Sequence, residues 1–576
     1  MTYAITFIVA YCSIVYELLL AQTLSTVLGN TVVRYCLTIG FYLAAKGVGA
    51  MLCDVNKRDA VKRLFHVETA LIILGGLSVI LINFFDVFQK YIYALSPAYS
   101  KVILRTGSIA EIIFFILSQG LIIAIGIFSG YEVPLLVHAA ENEKKGTTNI
   151  ILGTDYFGSL AGAVLFPLVL LPTLGIFSIS FVTACLNGVA ALAIIYFKGV
   201  RKKMIPVAST LLLIVLLGFG LGYSGHIKQY YLKKFYFSFD IRNALDIFRV
   251  TAADKPPIEH WQSPYQHIEL VSAFDTYGAT TFYNIYSKKW AKEPDYPKDK
   301  WLFLNGSFQF FSMIDEIYHE YFVHVPIIMS QIPRRVCILG GGDGLVAREL
   351  LKYPQIEEIY QVELDPQVIQ IAKYHPVLSK MNKGAFHDPR VKIFIQDAFS
   401  FIKENRNKFD AIYIDFPTPR DYNLSILYSR EFYTYIRGNL AQDGFAVMDM
   451  PSGELFDDGS NFRTYYSTVK AAGFRQALPI SSLLEKDNIE ANEALGAVYV
   501  KGEIDAVDQQ FLFMTNSSLP LNKTYKDNGI ELYVLNEKRF KLSFRPFPDE
   551  VVPSLVNSIF KPTLPDFYIM DINFPF

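Results

Sequence analysis

The chain has 576 residues, of which 52% are hydrophobic and only 19% are charged, and its mean hydropathy is +0.27. This composition is too apolar for an ordinary soluble enzyme. The formal net charge is −1 and the basic residues are dispersed through the second half, so the charge pattern does not indicate a nucleic-acid-binding protein.

Apolar residues are concentrated in roughly the first 225 positions. Several runs there are each close to the roughly 20 residues with which a helix crosses about 30 Å of hydrocarbon. The pattern predicts a multi-span α-helical membrane domain over residues 1–225, with about seven helices. The runs lie near residues 4–28, 31–53, 67–88, 108–137, 151–172, 175–197 and 205–223. No basic segment precedes the first run, so a cleaved signal peptide is not expected.

The composition changes after this apolar region, and four further segments are predicted. Residues 226–257 carry lysines among aromatic residues, which indicates an interfacial linker. Short alternating strands separated by turns predict a small β domain over residues 258–330. An α/β Rossmann-like core of the methyltransferase-like type is predicted over residues 331–500. Residues 501–576 are predicted to form a C-terminal extension, to which no role is assigned.

The segment Cys337–Gly344 runs from an apolar strand into a glycine-rich turn, and a second strand, Ile359–Asp365, follows after one helix length. This order is typical of the nucleoside-binding half of a Rossmann-like sheet. Glu363 lies about 20 residues past the glycines, where a carboxylate can bind both ribose hydroxyls. Asp343 in the turn would repel the pyrophosphate of a dinucleotide and the carboxylate of S-adenosylmethionine. We therefore expect a nucleoside with a cationic tail.

Two further carboxylates follow predicted strands. Asp397 comes after the strand Val391–Ile395 and precedes Ala398, where its side chain could accept a hydrogen bond from an adenine amino group. Asp415 ends the buried strand Phe409–Asp415, at the carboxyl edge where open α/β sheets bind ligands. A strand-end aspartate is also a common helix cap or turn former, so Asp415 alone allows two interpretations.

Three more motifs precede the glycine turn: Ser263-Pro264-Tyr265-Gln266, Leu304-Asn305-Gly306 with Gln309, and Asp315-Glu316-Ile317-Tyr318-His319-Glu320. In their order and spacing, the motifs from about residue 260 to about residue 500 resemble the spermidine synthase (polyamine aminopropyltransferase) family, in a membrane-embedded form. An ordered set of motifs is far more specific than a lone glycine turn.

The resemblance implies that a neutral amine attacks the methylene beside a sulfonium and that methylthioadenosine leaves. Decarboxylated S-adenosylmethionine is then the co-substrate. Neither a metal nor a bound cofactor is expected, and the cysteines form no CxxC, no Cys/His cluster and no disulfide framework. By resemblance, the nucleoside would be held by Gln266, Gly340, Gly342, Asp343, Glu363, Asp397 and Ala398.

The same resemblance implies the catalytic and acceptor residues. Asp415 would be the base, with Tyr318 beside the attacking nitrogen. The acceptor would lie near His319, Gln309 and Thr418. Ordinary structural roles compete with these: an aromatic residue on an amphipathic helix is more often part of the core, and Gln309 could be a solvated strand residue.

The acceptor side departs from the family pattern. After Asp415 the chain reads Phe416-Pro417-Thr418-Pro419, so a hydroxyl stands where the family has a second carboxylate. The nearest equivalent of a family Tyr-Pro-Ser-Gly segment, Leu478–Ser482, lacks the tyrosine. We therefore expect altered acceptor use, in which a longer amine could reach another acid such as Glu454 or Glu320.

Polar residues also occur inside the predicted spans: Glu17, Gln22, Lys46, Glu111, Gln119, Glu132 and Asp155. Ionisable groups at membrane depth are energetically unfavourable, and they indicate a cavity for a cation, here a polyamine. The alternative is that they pair with one another or hold helices together.

The predicted location is the cell membrane, with a multi-pass helical domain. Lysine and arginine in alternate loops place the catalytic domain outside by the positive-inside rule, whereas the donor nucleoside is made in the cytoplasm. We favour a cytoplasmic catalytic domain, because substrate supply is the harder constraint. The expected partners are the amine, the sulfonium nucleoside and membrane lipid, in a homo-oligomer that binds no nucleic acid.

Two other functions stay open at this point. One is a polyamine transporter or sensor whose nucleoside-binding domain does not catalyse, which the loss of an acid at Thr418 favours. The other is an S-adenosylmethionine-dependent methyltransferase, which Asp343 disfavours.

Overall fold

Contacts divide the chain into two compact units: a helical unit, Met1–Ile258, and an α/β unit, Glu259–Phe576. The boundary falls directly after the predicted linker, residues 226–257. The structure, a computed structural model, describes residues 2–28, 31–55, 60–94, 100–198, 204–236, 256–272, 297, 299–312, 315–419, 422–450, 460–482, 510–544 and 555–564.

Long apolar runs fold as helices in the helical unit, since a helix satisfies its backbone polar groups within the segment. The helices are α1 (Thr2–Leu28), α2 (Thr31–Leu52), α3 (Ala60–Ala94), α4 (Ser100–Glu143), α5 (Thr148–Leu165), α6 (Leu171–Lys198), α7 (Met204–Gly222) and α8 (Ser224–Tyr236). Within the described residues, six stretches are long and apolar enough to cross a membrane: Thr2–Val27, Arg34–Leu52, Ala60–Gln89, Ile112–Glu143, Thr148–Tyr196 and Met204–Gly222.

The sequence predicts about seven spans, and the difference from six lies in the stretch Thr148–Tyr196. A continuous helix of its 49 residues would be about 74 Å long, more than twice the thickness of the hydrocarbon core. Gly175 leaves the helical conformation, with φ 71° and ψ 163°, where the predicted fifth and sixth spans meet. A π-helical turn, Phe166–Leu170, precedes it, and both α5 and α6 pack against α1. The stretch is therefore interrupted near the place where the sequence separates two spans.

Part of the predicted linker is helical instead. In α8, the Tyr231 hydroxyl donates a hydrogen bond to Asp86 Oδ2 of α3 at 3.2 Å. The Gln229 side chain exchanges hydrogen bonds with the backbone of Ile258. The start of the predicted linker is thus packed structure of the helical unit, and residues 237–255 lie outside the described residues.

Helices α2 and α4 cross at close range because glycines line their contact. A Cβ on Gly130 would lie 2.1 Å from the Lys46 carbonyl oxygen, and one on Gly126 would lie 2.8 Å from that of Tyr42. Gly126 and Gly130 have the Gly-x-x-x-Gly spacing that lets helices approach closely in membranes. The crossing brings Lys46 close enough to Glu132 to act on its charge.

Four short strands form an antiparallel sheet in chain order: β1 (Glu259–Gln262), β2 (His267–Ser272), β3 (Lys300–Leu304) and β4 (Ser307–Phe311). Asn305 and Gly306 have φ of 50° and 71°, as the two-residue turn between β3 and β4 requires. Leu270 and Phe310 share a buried cluster with Val368. The small sheet is therefore packed on the rest of the α/β unit.

The core of the α/β unit is a seven-stranded sheet. Its strands are β5 (Arg335–Gly340), β6 (Glu358–Glu363), β7 (Val391–Ile395), β8 (Phe409–Asp415), β9 (Leu440–Asp449), β10 (Gln476–Ser481) and β11 (Gln510–Thr515). The order across the sheet is β10-β11-β9-β8-β5-β6-β7, with β5 to β9 parallel and β11 antiparallel to both neighbours. The order reverses between β5 and β8, the place where open α/β sheets bind ligands. The predicted Rossmann-like core is confirmed.

Helices cover both faces of this sheet. They are α9 (Asp315–Met329), α10 (Leu345–Leu350), α11 (Pro366–Tyr374), α12 (Leu378–Met381), α13 (Ala398–Glu404), α14 (Tyr422–Ile426), α15 (Arg430–Asn439), α16 (Ser460–Ala471) and α17 (Glu537–Leu542). Alternate residues of β5 point to opposite faces, so Val336 and Ile338 join one buried cluster while Cys337 and Leu339 join the other.

Two predicted domain boundaries are wrong. The prediction assigns α9 to the small β domain, yet its Phe322 and Val325 belong to the main cluster of the α/β core. The prediction assigns β11 to the C-terminal extension, yet β11 lies inside the sheet between β10 and β9. Leu535 and Phe540 also join the main cluster. Local patterns could not reveal this, because the partners of these residues are distant in the chain.

Candidate active site

Four carboxyl groups lie at the carboxyl edge of the parallel strands. Glu363 ends β6, Asp415 ends β8 and Asp449 ends β9, while Asp343 belongs to the turn after β5. Ile414 pairs with Met448, so the two following acids, Asp415 and Asp449, end neighbouring strands at the same level. Carboxyl ends of parallel strands meet at one edge, where ligands of such sheets bind. Three of these acids are predicted from the sequence, whereas Asp449 is not.

The glycine turn allows the backbone to approach two of these carboxylates. Gly340 has φ 81° and pairs with Asp415, whose carbonyl oxygen would lie 2.1 Å from a Cβ on this glycine. A Cβ on Gly342 would lie 2.6 Å from Glu363 Oε2. Any side chain at either position would therefore displace a strand end or a site carboxylate. Both glycines therefore lie directly beside the acidic edge.

Tyr318 and Asp415 are in direct contact. The Tyr318 hydroxyl donates a hydrogen bond of 2.6 Å to Asp415 Oδ1, although the two residues are far apart in the chain. The Tyr318 ring packs against Phe322 and Phe511, with centroids 5.4 Å and 5.1 Å away. The core role and the site role of Tyr318 are thus compatible: the ring is part of the core, and the hydroxyl reaches the acidic edge.

Burial raises the proton affinity of the whole edge. It raises the pKa of Asp415 to about 6, against the lowering effect of the Tyr318 hydrogen bond. It also raises the pKa of Asp343 to about 6, opposed by His319 and assisted by the charge of Asp415. Burial together with the nearby Asp415 raises the pKa of Asp449 well above its usual value. The edge therefore favours a cationic ligand, which would replace these protons.

Gln266 is fixed near Glu363 by Asp365, a residue without a role in the sequence-based prediction. Its Nε2 donates to Asp365 Oδ2 at 3.0 Å, and the Ser263 hydroxyl donates to the same oxygen at 2.7 Å. The Asp365 backbone N–H donates to Glu363 Oε1 at 3.0 Å, and its other carboxylate oxygen caps α11 at Gln367. Burial raises the pKa of Glu363 to about 7. The Asp-Pro start of α11 was the available signal for Asp365.

Asp397 has a structural task that the structure shows directly. Its Oδ2 accepts a hydrogen bond from the Ser400 backbone N–H at 2.7 Å, which makes it the N-cap of α13. Ala398 follows as the first, buried residue of the helix. The helix-cap alternative considered for strand-end aspartates therefore applies to Asp397, whereas Asp415 accepts its bond from Tyr318.

The predicted acceptor residues are less closely assembled. His319 is buried, its Nδ1 is 2.7 Å from the Asp315 carbonyl oxygen, and burial lowers its pKa. The Gln309 amide donates to the carbonyl oxygens of Ser307 and Phe308, in the irregular stretch of β4. The side-chain amide of Gln309 is therefore bonded to the backbone of its own strand.

Three other residues are predicted near the acceptor amine: Thr418, Glu320 and Glu454. Thr418 is half-buried in the loop directly after β8, close in the chain to Asp415. Glu320 is not available to an amine, because its carboxylate accepts the backbone N–H groups of Tyr533, Val534 and Leu535 at 2.6–2.8 Å. That prediction is wrong. Glu454 lies outside the described residues.

One further group of side chains could hold a cation. Among the described residues, His260, His267 and Glu269 of the small sheet place ligand atoms within 4.8 Å of one another. His260 and Glu269 are cross-strand partners, with Nδ1 3.0 Å from Oε1. The sequence analysis predicted no metal, and this grouping arises only through strand pairing. An ordinary cross-strand pair accounts for the contact, and we assign it no role in the reaction.

Comparisons with known proteins agree with this geometry. The family model for the spermine/spermidine synthase domain matches residues 315–475. The chain is 30% identical over 452 residues to a polyamine aminopropyltransferase of Oceanobacillus iheyensis, covering 77% of this chain and 76% of the relative. It is 31% identical over 477 residues to polyamine aminopropyltransferase 1 of Streptomyces coelicolor, covering 81% and 78%. A solved spermidine synthase from Thermotoga maritima shares 24% identity, with a TM-score of 0.38 over 50% of this chain and 84% of that one.

A Rossmann-like sheet with an acidic carboxyl edge is the architecture of a nucleoside-binding enzyme whose ligand carries positive charge. The relatives cover three quarters or more of both chains at about 30% identity. The chain belongs to the polyamine aminopropyltransferase (spermidine synthase) family, and it is an aminopropyltransferase. The predicted family is confirmed, and membership sets aside the methyltransferase alternative.

Proposed function

We propose that this chain is a membrane-embedded aminopropyltransferase that moves the aminopropyl group of decarboxylated S-adenosylmethionine to an amine such as putrescine. The products are spermidine or a related polyamine and methylthioadenosine. The observation that carries the proposal is the 2.6 Å hydrogen bond between Tyr318 and Asp415, next to the half-buried Asp343. A potential proton acceptor and a potential anion for the donor's tail thus occupy one acidic edge.

The donor is the better supported substrate. Glu363, with Gln266 fixed nearby through Asp365, is suited to the ribose hydroxyls. Asp397 and Ala398 follow β7 and are the candidates for the adenine. Asp343 would meet the ammonium of the aminopropyl tail, where intact S-adenosylmethionine would instead bring its carboxylate.

The reaction needs positioning and one proton acceptor. The neutral amine nitrogen attacks the methylene beside the sulfonium, a C–N bond forms, and the C–S bond breaks with its electron pair on sulfur. Methylthioadenosine leaves without a proton. The new ammonium then gives one proton to Asp415, directly or through water. Tyr318 orients the Asp415 carboxylate and can itself contact the attacking nitrogen.

The acceptor site has its own source of negative charge. Thr418 replaces a family carboxylate, but Asp449 stands at the end of the next strand and acts on both Asp415 and Tyr318. We propose that Asp449 supplies the anion for the acceptor's second ammonium. This modifies the expectation from sequence, in which Glu454 or Glu320 would serve.

The helical unit is proposed to be a multi-pass anchor in the cell membrane, with the catalytic unit on the cytoplasmic side. Two observations support an anchor: six stretches of the described residues have suitable length and apolarity, and many of their large apolar side chains are exposed. The match to the Oceanobacillus relative spans 452 residues, more than the α/β unit contains, so part of the helical unit is shared. The cytoplasmic side follows from donor supply, against the loop charges.

The decisive experiment uses the full-length chain purified in detergent. It is incubated with decarboxylated S-adenosylmethionine and a panel of diamines and triamines, and mass spectrometry follows methylthioadenosine and the extended amine. We expect both products in equal amounts. Binding of the nucleoside without either product would support the alternative, a polyamine transporter or sensor. A heat-denatured sample of the same chain serves as the background.

A further inference from the structure

Four carboxyl groups and one lysine lie together in the helical unit. The carboxyl groups are Glu17 of α1, Glu68 of α3, Glu132 of α4 and the half-buried Asp155 of α5, and the lysine is the half-buried Lys46 of α2. Glu17, Glu68 and Glu132 are 4%, 0% and 2% exposed. Glu132 interacts electrostatically with Glu68, Lys46 and Asp155, so the groups form one cluster. An isolated charge at such depth is strongly disfavoured without a partner.

One half of the cluster already holds an alkylammonium group. Lys46 Nζ donates to the Ser13 hydroxyl at 3.0 Å, and Ser13 Oγ lies 2.6 Å from Ser129 Oγ. Ser129 in turn donates to Glu132 Oε2 at 2.8 Å. Lys46 also acts on the charge of Glu17. An ammonium on a flexible aliphatic stem thus donates directly to a hydroxyl of this half, and two serine hydroxyls connect it to the Glu132 carboxylate.

The other half has the same kind of groups and no such cation in the described part of the chain. Both carboxylate oxygens of the fully buried Glu68 are without a hydrogen-bond partner there. The same holds for both amide atoms of Asn187, which is 0% exposed, and for the hydroxyl of Tyr16, which is 1% exposed. Asn187 is near enough to act on Glu68, but no atom pair reaches hydrogen-bond geometry.

These three side chains converge from three helices. Glu68 acts electrostatically on Tyr16, and Asn187 of α6 acts on Glu68. The Tyr16 ring is held at α3 by the absence of a side chain at Gly75, where a Cβ would lie 2.4 Å from the ring. Buried polar groups in native proteins nearly always have partners, and each one without a partner calls for a ligand, an ion or water.

We propose that Glu68, Asn187 and Tyr16 bind a protonated amine group of a polyamine inside the helical unit. An alkylammonium offers three N–H donors to a carboxylate, an amide oxygen and a phenol oxygen, and an aromatic ring adds cation–π attraction. Lys46 shows that the neighbouring half accommodates such a group. The site is separate from the catalytic one. Only the choice of a polyamine among amines rests on the chain's family.

The test measures binding of labelled spermidine to the full-length chain in detergent, by equilibrium dialysis without donor. We expect two classes of saturable site, one in each unit. Glu68→Gln keeps the shape but removes the charge, and it should weaken one class about tenfold or more. Asp86→Asn is the matched control, because it is a buried carboxyl on the same helix that already accepts a bond from Tyr231. It should retain both classes.

Three results would overturn the proposal. They are no saturable binding in the unmodified chain, saturable binding that Glu68→Gln leaves unchanged in every class, and displacement of the Glu68-dependent class by sodium, potassium or magnesium at concentrations where added choline has no effect. If Glu68→Gln fails to fold, Asn187→Leu should lose the same class while Glu68→Asp keeps it measurable. Because the assay contains no donor, failed aminopropyl transfer would refute the proposed reaction and leave this site unaffected.

Discussion

At the scale of single residues, burial has the largest effect on the protonation of the acidic edge. It raises the pKa of Asp343 and Asp415 to about 6 and that of Glu363 to about 7. These carboxyl groups therefore titrate within the range in which enzymes work, and a bound cation would shift them toward the ionised form. Three residue-scale predictions follow from their separate proposed tasks.

The first concerns the proposed base. Asp415→Asn keeps the shape of the side chain but cannot accept the amine proton, so we expect turnover to fall by about 10²-fold or more. Donor KM should change little. Steady-state release of methylthioadenosine measures both. Asp443→Asn, an exposed carboxylate of β9, is the control and should behave like the unmodified chain. Near-normal turnover of Asp415→Asn would remove this residue from the mechanism.

The proposed role of Asp343 leads to a prediction about the choice of donor. We expect decarboxylated S-adenosylmethionine to bind more tightly than the intact nucleoside. The intact nucleoside brings its carboxylate toward the Asp343 carboxyl, and the repulsion between the two is about 3–4 kcal/mol, which corresponds to roughly 2–3 pKa units. Asp343→Asn should narrow this preference. Competitive inhibition by intact S-adenosylmethionine provides the measurement. Tighter binding of the intact form by the unmodified chain would contradict the assignment.

The acceptor prediction compares two positions. If Asp449 binds the far ammonium, Asp449→Asn should raise the KM for a diamine by about 10-fold or more, the effect of losing a charge-assisted hydrogen bond of roughly 1.5–3 kcal/mol. Thr418→Asp should improve putrescine use relative to longer amines, because it restores an anion near Asp415. A panel of amines assayed with both variants gives the ratios. An unchanged KM in Asp449→Asn, with efficient putrescine use and no gain from Thr418→Asp, would refute the altered acceptor site.

At the scale of elements, the segment after β11 is attached to α9 by one side chain. The Glu320 carboxylate accepts the backbone N–H groups of Tyr533, Val534 and Leu535. The same helix carries Tyr318, so this attachment supports a residue of the site. The C-terminal region thus has a structural task where the sequence analysis assigned none.

Glu320→Gln tests this attachment. The glutamine amide presents donors to backbone donors, so at least one buried N–H loses its acceptor, and we expect the free energy of unfolding to fall by about 2–4 kcal/mol. Denaturant unfolding followed by tryptophan fluorescence is suitable, because Trp261, Trp290 and Trp301 all belong to the α/β unit. Glu537→Gln, an exposed carboxylate of α17, should change stability by less than about 0.5 kcal/mol. Equal stability of the two variants would show that the contact is unimportant.

At the scale of the whole molecule, the acidic edge predicts a dependence of stability on pH. The folded-state pKa values of Asp343, Asp415 and Glu363 lie above the ordinary range near 4. Their contribution to stability is therefore fully present below about pH 4 and is lost as the pH rises through about 6 to 7. A cationic donor favours the ionised forms, so its affinity should increase over the same window.

Thermal unfolding of the full chain between pH 5 and pH 8, followed by tryptophan fluorescence, checks this expectation. The midpoint of the ligand-free α/β unit should fall with rising pH, and decarboxylated S-adenosylmethionine should raise it more at pH 7.5 than at pH 5.5. Neutral methylthioadenosine, which lacks the cationic tail, should show a smaller pH effect. Stabilisation by the donor that is the same at both pH values would exclude proton release from the edge.

Features that depend on local patterns could be predicted from the amino-acid sequence. Apolar runs predicted the helices of the first unit, because helical periodicity and run length are properties of neighbouring residues. The glycine turn and the strand-end acids predicted the Rossmann-like core and most of its acidic edge, because each strand, turn and helix is encoded within a short segment. The ordered motifs also predicted the family, which the relatives confirm.

Contacts between distant segments of the chain are seen only in the tertiary structure. Strand β11 enters the sheet between β10 and β9, Asp449 ends the strand next to that of Asp415, and Asp365 fixes Gln266. Glu320 is predicted from the sequence as a possible ligand of the amine. Its carboxylate instead accepts hydrogen bonds from the backbone N–H groups of residues 533–535. No local pattern specifies such contacts, because they arise only when burial and hydrogen bonding bring remote parts of the chain together.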